Sequence, residues 1–332
     1  MNMQRVMKTF MPLWTPFVDD SAQRTIENMA DADERAMAWA AHHYFQGDYE
    51  ATADETETYR VHPCPEIRSA ALLMHAMANV GLGNAQETRA DIAAILQMAK
   101  QPQDAQMAAI CDMMRFLLQV FFHTDGEHQP VGEESIALLP EGLRLYLLYA
   151  MAHGLYLEKR HAEALGMAKA ALMMAAGRFP PVCVYLNLVA SMAASNLPDA
   201  EQAAGFFHQG WVIAEKEGYI QPFVEHHGLL QGQIEKYIRD RKPEVYGCIV
   251  EKVMAFSRGW MQIHNPRSVN KVTDRLSPYE FALAMLAAKG KSNQAIADYL
   301  HISINTVKFH LSNIYQKVGV SSRSKLEQYM NR

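Results

Sequence analysis

Cysteine is scarce: four in 332 residues. Cys64, Cys111, Cys183 and Cys248 stand far apart with no CxxC pair, which argues against a zinc site or a disulfide framework and fits reduced, buried thiols in a cytoplasmic protein. Long hydrophobic runs are also lacking. No window supplies the roughly 18 uninterrupted apolar residues of a membrane span, so no membrane partner is expected. Met1–Phe17 carries Pro12 and Pro16 and no apolar core, and does not read as a secretory signal. The phosphate-cradling GxxxxGK[ST] loop, the GxSxG elbow, a GxGxxG after a strand and HExxH are all missing. The expectation is therefore no catalytic residue, no cofactor and no metal. The fourteen histidines do not change it. His42-His43 and His226-His227 are adjacent, so on a helix their side chains diverge by about 100° and do not share an ion.

What is present is a globular balance, with 49% apolar and 20% charged residues. The length suggests about two domains. Charge divides the chain unevenly. Residues 267–332 hold ten Lys/Arg against four Asp/Glu, a net +6, while residues 1–266 hold 21 basic and 32 acidic groups, a net −11. A basic tail on an acidic body points to a polyanion met by the tail alone.

The body reads as successive helices rich in Ala, Leu and Met, without the alternating β-branched runs of strands. Arg68–Val80, Ala85–Lys100, Asp104–Phe122 and Leu143–Leu157 carry helical apolar spacing. Turn-like punctuation at Gly47-Asp48, Gly83-Asn84, Arg160-His161 and Pro198-Asp199 fits a unit of about 36–39 residues, with one copy blurred around Thr124–Gly132. In the unit Tyr149–Met174, Ala164, Ala168, Ala171 and Leu172 share one face of the second helix, small enough for close packing. This unit resembles a tetratricopeptide hairpin, which implies an α-solenoid. Twenty-one methionines read as filler for irregular helical packing. The expected division is 1–263 for the helical-repeat body, 264–275 for a polar linker and 276–332 for the tail.

In the tail, Ser277, Pro278 and Glu280 form a capping box that opens a helix ending at Gly290. Ser292 caps a second helix to about Leu300, Ser303 a third reaching Lys317 before Gly319, and Ser321-Ser322 start a fourth. Two short helices joined by the tight turn His301-Ile302, the second basic, suit a helix-turn-helix. In the third helix Val307, Leu311, Ile314 and Val318 make a narrow apolar stripe for the core. Asn305, Lys308, Phe309, Ser312 and Gln316 lie on the other side. Lys308 suits guanine or phosphate, Ser312 either, and Phe309 a thymine methyl. Thr306 sits where a helix N-terminus binds phosphate. His310 falls between the two faces as a packed residue.

These residues resemble the LuxR/GerE-type DNA-binding domain of bacterial transcription regulators. The likeness runs through the Leu-Ser-Pro-x-Glu opening at 276–280, Gly290, Ser292-Asn293, Ile296-Ala297, Leu300, Ile302-Ser303, Thr306-Val307-Lys308, His310, Asn313-Ile314, Lys317, Gly319-Val320 and Arg323. It implies an all-α fold with a four-helix C-terminal domain, dimeric on near-palindromic double-stranded DNA. The expected contacts are Asn305, Thr306, Lys308, Phe309, Ser312, Lys317 and Arg323. His301 replaces a glycine common in the turn, and Ser312 stands where several relatives carry Lys or Arg. Ala214–Glu225 is similar to the last solenoid segment before the DNA-binding domain of MalT-like regulators. The start of the chain lacks the strand–helix alternation of a phosphoacceptor receiver or an autoinducer-binding domain.

The expected protein is a cytoplasmic, non-enzymatic transcription regulator, homodimeric on DNA, whose helical-repeat body senses an unknown peptide, protein or small-molecule signal. The alternative is an interaction scaffold whose helix-turn-helix serves partner binding or dimerisation. Opposite charges on body and tail further predict that the acidic body competes with DNA for Lys308, Lys317 and Arg323.

Overall fold

The computed structural model describes residues 8–122, 131–198, 200–264, 276, 278–300 and 302–330. Among them there is no strand, only an isolated bridge between Val18 and Ser21. The fold is all-α.

After a short α1 (Ala22–Glu27), the body runs as helical pairs: α2 (Ala32–Gln46) with α3 (Tyr49–Glu57), α4 (Pro65–Leu82) with α5 (Ala85–Met98), α6 (Ala105–Phe122) with α7 (Glu133–Leu138), α8 (Glu141–Leu157) with α9 (His161–Ala175), and α10 (Pro180–Ala194) with α11 (Ala200–Glu217). Members of each pair pack together, and the first helices adjoin one another from α2 to α4, α6 to α8 and α8 to α10. Turn chemistry sets the boundaries. Gly47 and Gly83 adopt φ of 81° and 77° at the ends of α2 and α4, a conformation that a side chain disfavours. Asp48 follows at once and accepts the Ala51 N–H at 3.0 Å, opening α3. Arg160 stands immediately before α9. The expected turn at residue 199 and the blurred copy between residues 123 and 130 lie outside the described residues.

Small residues let the pairs approach. On α9, Ala164, Ala168, Ala171 and Ala175 are fully buried, whereas Leu172, expected beside them, is only partly covered. α10 is buried almost all round, from Pro181 to Ala194, as befits a central helix. α4 hides Ile67, Leu72, Leu73, Met74 and Val80, each worth about 1.5–3 kcal/mol of burial before entropy is charged. α6 is apolar and long enough to cross a membrane, but here Met107, Ile110, Met113, Met114, Leu117 and Leu118 face the core. Cys111 and Cys183 are buried as expected; Cys64 is half-buried and Cys248 exposed, because Cys248 falls on the outward side of its helix. No cluster of metal-ligating side chains occurs among the described residues.

Three further helices complete the body: α12 (Gln221–His226), α13 (Gln233–Tyr237) and α14 (Pro243–His264). α12 packs against α2 and α10, and α14 against α4 and α5. The chain thus returns along its own first helices. At Gly259 in α14 a Cβ would lie 1.8 Å from the Val80 carbonyl oxygen, so only glycine fits there. His264, the first residue of the expected linker, ends α14 instead; residues 265–275 are not described. The chain's start is also part of the core. Phe10, Met11, Leu13 and Trp14 are buried, and Gly142 in α8 leaves room for the Trp14 carbonyl.

Candidate nucleic-acid interface

Four helices make the tail: α15 (Pro278–Ala288), α16 (Asn293–Leu300), α17 (Ile304–Val318) and α18 (Arg323–Met330). They enclose a separate apolar cluster that includes Leu283, Leu286, Ile296, Leu300, Val307, Leu311, Ile314, Val318 and Leu326. Side-chain caps start three of them. Ser292 Oγ accepts the Ala295 N–H at 3.1 Å, Ser303 Oγ the Thr306 N–H at 3.0 Å, and Ser322 Oγ the Lys325 N–H at 3.3 Å. Gly319 closes α17 at φ 72°. Ser277 and His301 lie outside the described residues.

α17 is split as its spacing requires. Val307, Leu311, Ile314 and Val318 are buried. Asn305, Lys308, Phe309, Ser312 and Gln316 are exposed on the other side. Phe309 is 64% accessible, an unusual position for a large apolar ring. Its neighbour His310 is half-buried and meets Tyr279 edge-on, with ring centroids 5.1 Å apart. Lys308 makes no ion pair among the described residues. Thr306 is half-covered, and its hydroxyl shares a 2.8 Å hydrogen bond with Ser303 Oγ. In the first turn of α17 the Thr306 N–H is taken by Ser303 Oγ and the Val307 N–H by the Ser303 carbonyl, which leaves those of Ile304 and Asn305 without an intrahelical acceptor.

Lys317 and Arg323 sit elsewhere. The Lys317 ammonium donates to both oxygens of the Glu280 carboxylate at 2.7 Å, tying α17 to α15. Glu280 holds this lysine, and its expected capping-box bond to the helix start involves Ser277, outside the described residues. Lys317 follows Lys308 by nine positions, about two and a half turns of an α-helix, so the two point to opposite sides. The Arg323 guanidinium donates to the Ala287 carbonyl at 3.0 Å, to Asn293 Oδ1 at 3.2 Å and to the Lys291 carbonyl. It pins the start of α18 to the turn between α15 and α16. Leu326 of α18 is fully buried in the tail's core.

Body and tail touch, and the contacts given by the described residues are not the expected pairing of body acids with tail bases. Two cations of the body meet tail aromatics. Arg239 lies 5.5 Å from the Tyr279 ring centre and donates to the Leu300 carbonyl at 3.2 Å. Lys236 sits 4.5 Å over Tyr299. Phe281 closes on Gly228, where a Cβ would meet the ring at 2.6 Å, and Leu286 and Leu300 close on Gly232. Lys289 reaches Asn196 Oδ1 at 2.5 Å. These contacts use α15 and α16 and leave the outer side of α17 uncovered. Sequence reading missed them; the three aromatics Tyr279, Phe281 and Tyr299 in a small domain were the available signal.

Residues 274–330 match the family model for bacterial regulatory proteins of the luxR family. They are a LuxR-type helix-turn-helix domain. The chain is similar to "Response regulator protein VraR" of Staphylococcus aureus, with 36% identity over 91 residues that make up 24% of this chain and 43% of that protein. The protein of the same name from Staphylococcus saprophyticus is 45% identical over 56 residues, 17% of this chain and 27% of the relative. The chain thus spans less than half the length of the curated relatives it matches. No solved structure matches it.

Proposed function

We propose that the chain is a sequence-specific transcription regulator whose α17 enters the major groove of double-stranded DNA. The observation that carries this reading is the outer side of α17: Lys308 without an ion-pair partner, Phe309 held in water, and Asn305 and Ser312 exposed beside them, on a segment of net +6. In this reading Lys308 donates to guanine or phosphate and Phe309 packs on a thymine methyl, with Asn305 and Ser312 on base edges. Thr306 and the free N–H groups of the first turn bind a phosphate. Lys317 and Arg323 act behind this face, by holding α17 and α18 in place.

One helix reads only a few base pairs, so the regulator works as a homodimer on two half-sites. The body is read as a tetratricopeptide-like, MalT-like repeat region that receives a signal in the cytoplasm. Its successive helical pairs support that reading, as does the return of the segment around Ala214–Glu225 onto them. The test is footprinting of the full-length protein on fragments from around its own gene. The expected result is protection of two related half-sites about one helical turn apart. Protection that ignores sequence, or none at all, would leave the scaffold reading in its place.

A further inference from the structure

The end of α13 and the turn that follows it are basic in an acidic body. Residues 236–242 hold Lys236, Arg239, Arg241 and Lys242 against the single acid Asp240, a net +3, whereas residues 1–266 carry a net −11. Two of the four cations are matched by carboxylates: Arg239 meets Asp240 at 2.9 Å and Lys242 meets Glu215 at 2.8 Å. Glu235, next to Lys236, is buried against His227 at 2.8 Å. The half-buried Lys236 and the exposed Arg241 make no ion pair among the described residues.

These cations lie against the helix-turn-helix. The Arg239 guanidinium donates to the Leu300 carbonyl at 3.2 Å, at the end of α16 and three residues before Ser303, the cap of α17. It also sits 5.5 Å from the Tyr279 ring centre, and Tyr279 meets His310 of α17 with ring centroids 5.1 Å apart. His310 follows Thr306 by four positions, so the two share a flank of α17. That flank is the one on which the proposed reading puts a phosphate. A second gathering of charge lies on α16 itself. Lys236 stands 4.5 Å from the Tyr299 ring centre, and Lys291 of the tail 6.0 Å from it. Two ammonium groups, one from each region, thus share one ring, and neither pairs with a carboxylate among the described residues. Like charges so placed repel, and an anion between them removes the repulsion.

A small anion would settle one of these positions only. Cations spread from Lys236 to Arg241 and on to Lys291 suit a partner whose charge repeats along its length, and double-stranded DNA carries one negative charge per roughly 1.7 Å. The attachment of the basic turn to α16, beside α17, selects the DNA that α17 enters. We propose that the body takes part in DNA binding: Lys236 and Arg241, with Lys291 of the tail, hold the phosphate backbone next to the groove that α17 reads, and Arg239 positions them by seating the turn on α16. This rests on the reading of α17 as the groove-binding helix and adds to it a contact without sequence preference. The body then strengthens DNA binding, which its net charge alone would oppose.

The test measures binding of the full-length protein to the footprinted fragment and to a random-sequence duplex of equal length, across a salt series. In the double variant Lys236→Gln with Arg241→Gln, affinity should fall by the same factor on both duplexes. The slope of log affinity against log salt should become shallower by about two units, so that the gap from the parent narrows about ten-fold between roughly 50 and 200 mM salt. Arg241→Gln alone, at an exposed side chain without an ion pair, should keep the parent's Tm and lose about one unit of slope. Lys236→Arg with Arg241→Lys, which keeps both charges, should bind as the parent does. An unchanged slope on both duplexes overturns the proposal, as does tighter binding by the double variant, which would make the turn a restraint on the tail. Lys308→Ala, measured beside them, separates this contact from the reader. A loss in Lys308→Ala with none in the double variant overturns the body's contact and leaves α17 as the reader; the converse keeps the body's contact and removes α17.

Discussion

In the body, the polar groups that sequence reading would nominate as ligands are turned inward and paired. His75 meets Asp91 at 2.6 Å, Asp91 meets Arg60 at 2.8 Å, and His227 meets Glu235 at 2.8 Å. In the tail, the outer residues of α17 are turned outward, and Lys308 makes no ion pair among the described residues. Both regions are amphipathic helices packed by the same rules, so composition alone does not separate them. What separates them is satisfaction. A buried polar group must find a partner or cost about 1–3 kcal/mol, whereas an exposed Lys308 beside an exposed Phe309 costs little and stays available. The tail therefore presents its chemistry on a surface, whereas these polar groups of the body serve its packing.

The largest expected effect tests the body's close packing. Gly259→Ala should destabilise the protein by about 3 kcal/mol, because the added Cβ would lie 1.8 Å from the Val80 carbonyl oxygen and α14 must shift. Thermal denaturation of full-length protein would register this as a lower Tm. A variant as stable as the parent would mean that α14 does not seat on α4.

The next effect concerns a buried acid of the body, bonded by the Tyr44 and Tyr185 hydroxyls, that no cation pairs with among the described residues. Glu225 titrates at about 7 in the fold against an ordinary 4.5, so the folded state holds its proton more tightly than the unfolded chain. Its contribution is therefore full below about pH 4.5 and is lost as pH rises through 7, by about 3 kcal/mol at most. His42 and His226, both lowered to about 4 by burial, act with the opposite slope on the acid side. The comparison that isolates the acid is Glu225→Gln against the parent. The variant's advantage in denaturant midpoint should grow from pH 4.5 to 7 and then level off. A gap that stays constant with pH would show that the carboxyl does not change its charge there.

In the tail, Lys308→Ala should weaken specific DNA binding by about 1–3 kcal/mol and leave thermal stability within about 0.5 kcal/mol, since the side chain is exposed and makes no ion pair among the described residues. A loss equal on all sequences would make Lys308 a phosphate contact, and no loss would remove α17 as the reader.

Sequence reading recovered the helices of both regions because local spacing and capping determine them. The predicted Ala85–Lys100 and Asp104–Phe122 lie within two residues of α5 and α6. The two sides of α17 were legible for the same reason: Val307, Leu311, Ile314 and Val318 follow one period. Contacts between distant segments were not legible. Nothing near Glu225 in sequence announces Tyr44 or Tyr185, and nothing near Tyr279 announces Arg239. Lys317 and Arg323 show the intermediate case. Their charge was plain, but charge does not say whether the partner is a phosphate or an oxygen of another helix in the same domain.

That ambiguity gives the smallest and most discriminating prediction. Lys317 and Lys308 share a helix and a charge, and differ in direction. Lys317 is 45% exposed and bound to a Glu280 carboxylate only 10% exposed. Lys317→Ala leaves that nearly buried acid without its ammonium, at a cost of about 1 kcal/mol in stability. Its effect on specific DNA affinity should be smaller than that of Lys308→Ala, and should fall further once binding is measured well below the variant's Tm. The pair Lys317→Ala with Glu280→Gln sharpens the point. If the lysine serves the carboxylate, removing both should recover part of the stability lost in the single variant, a positive coupling in the double-mutant cycle. If Lys317 instead binds phosphate, the double variant recovers no affinity, and the slope of log affinity against log salt drops by about one unit.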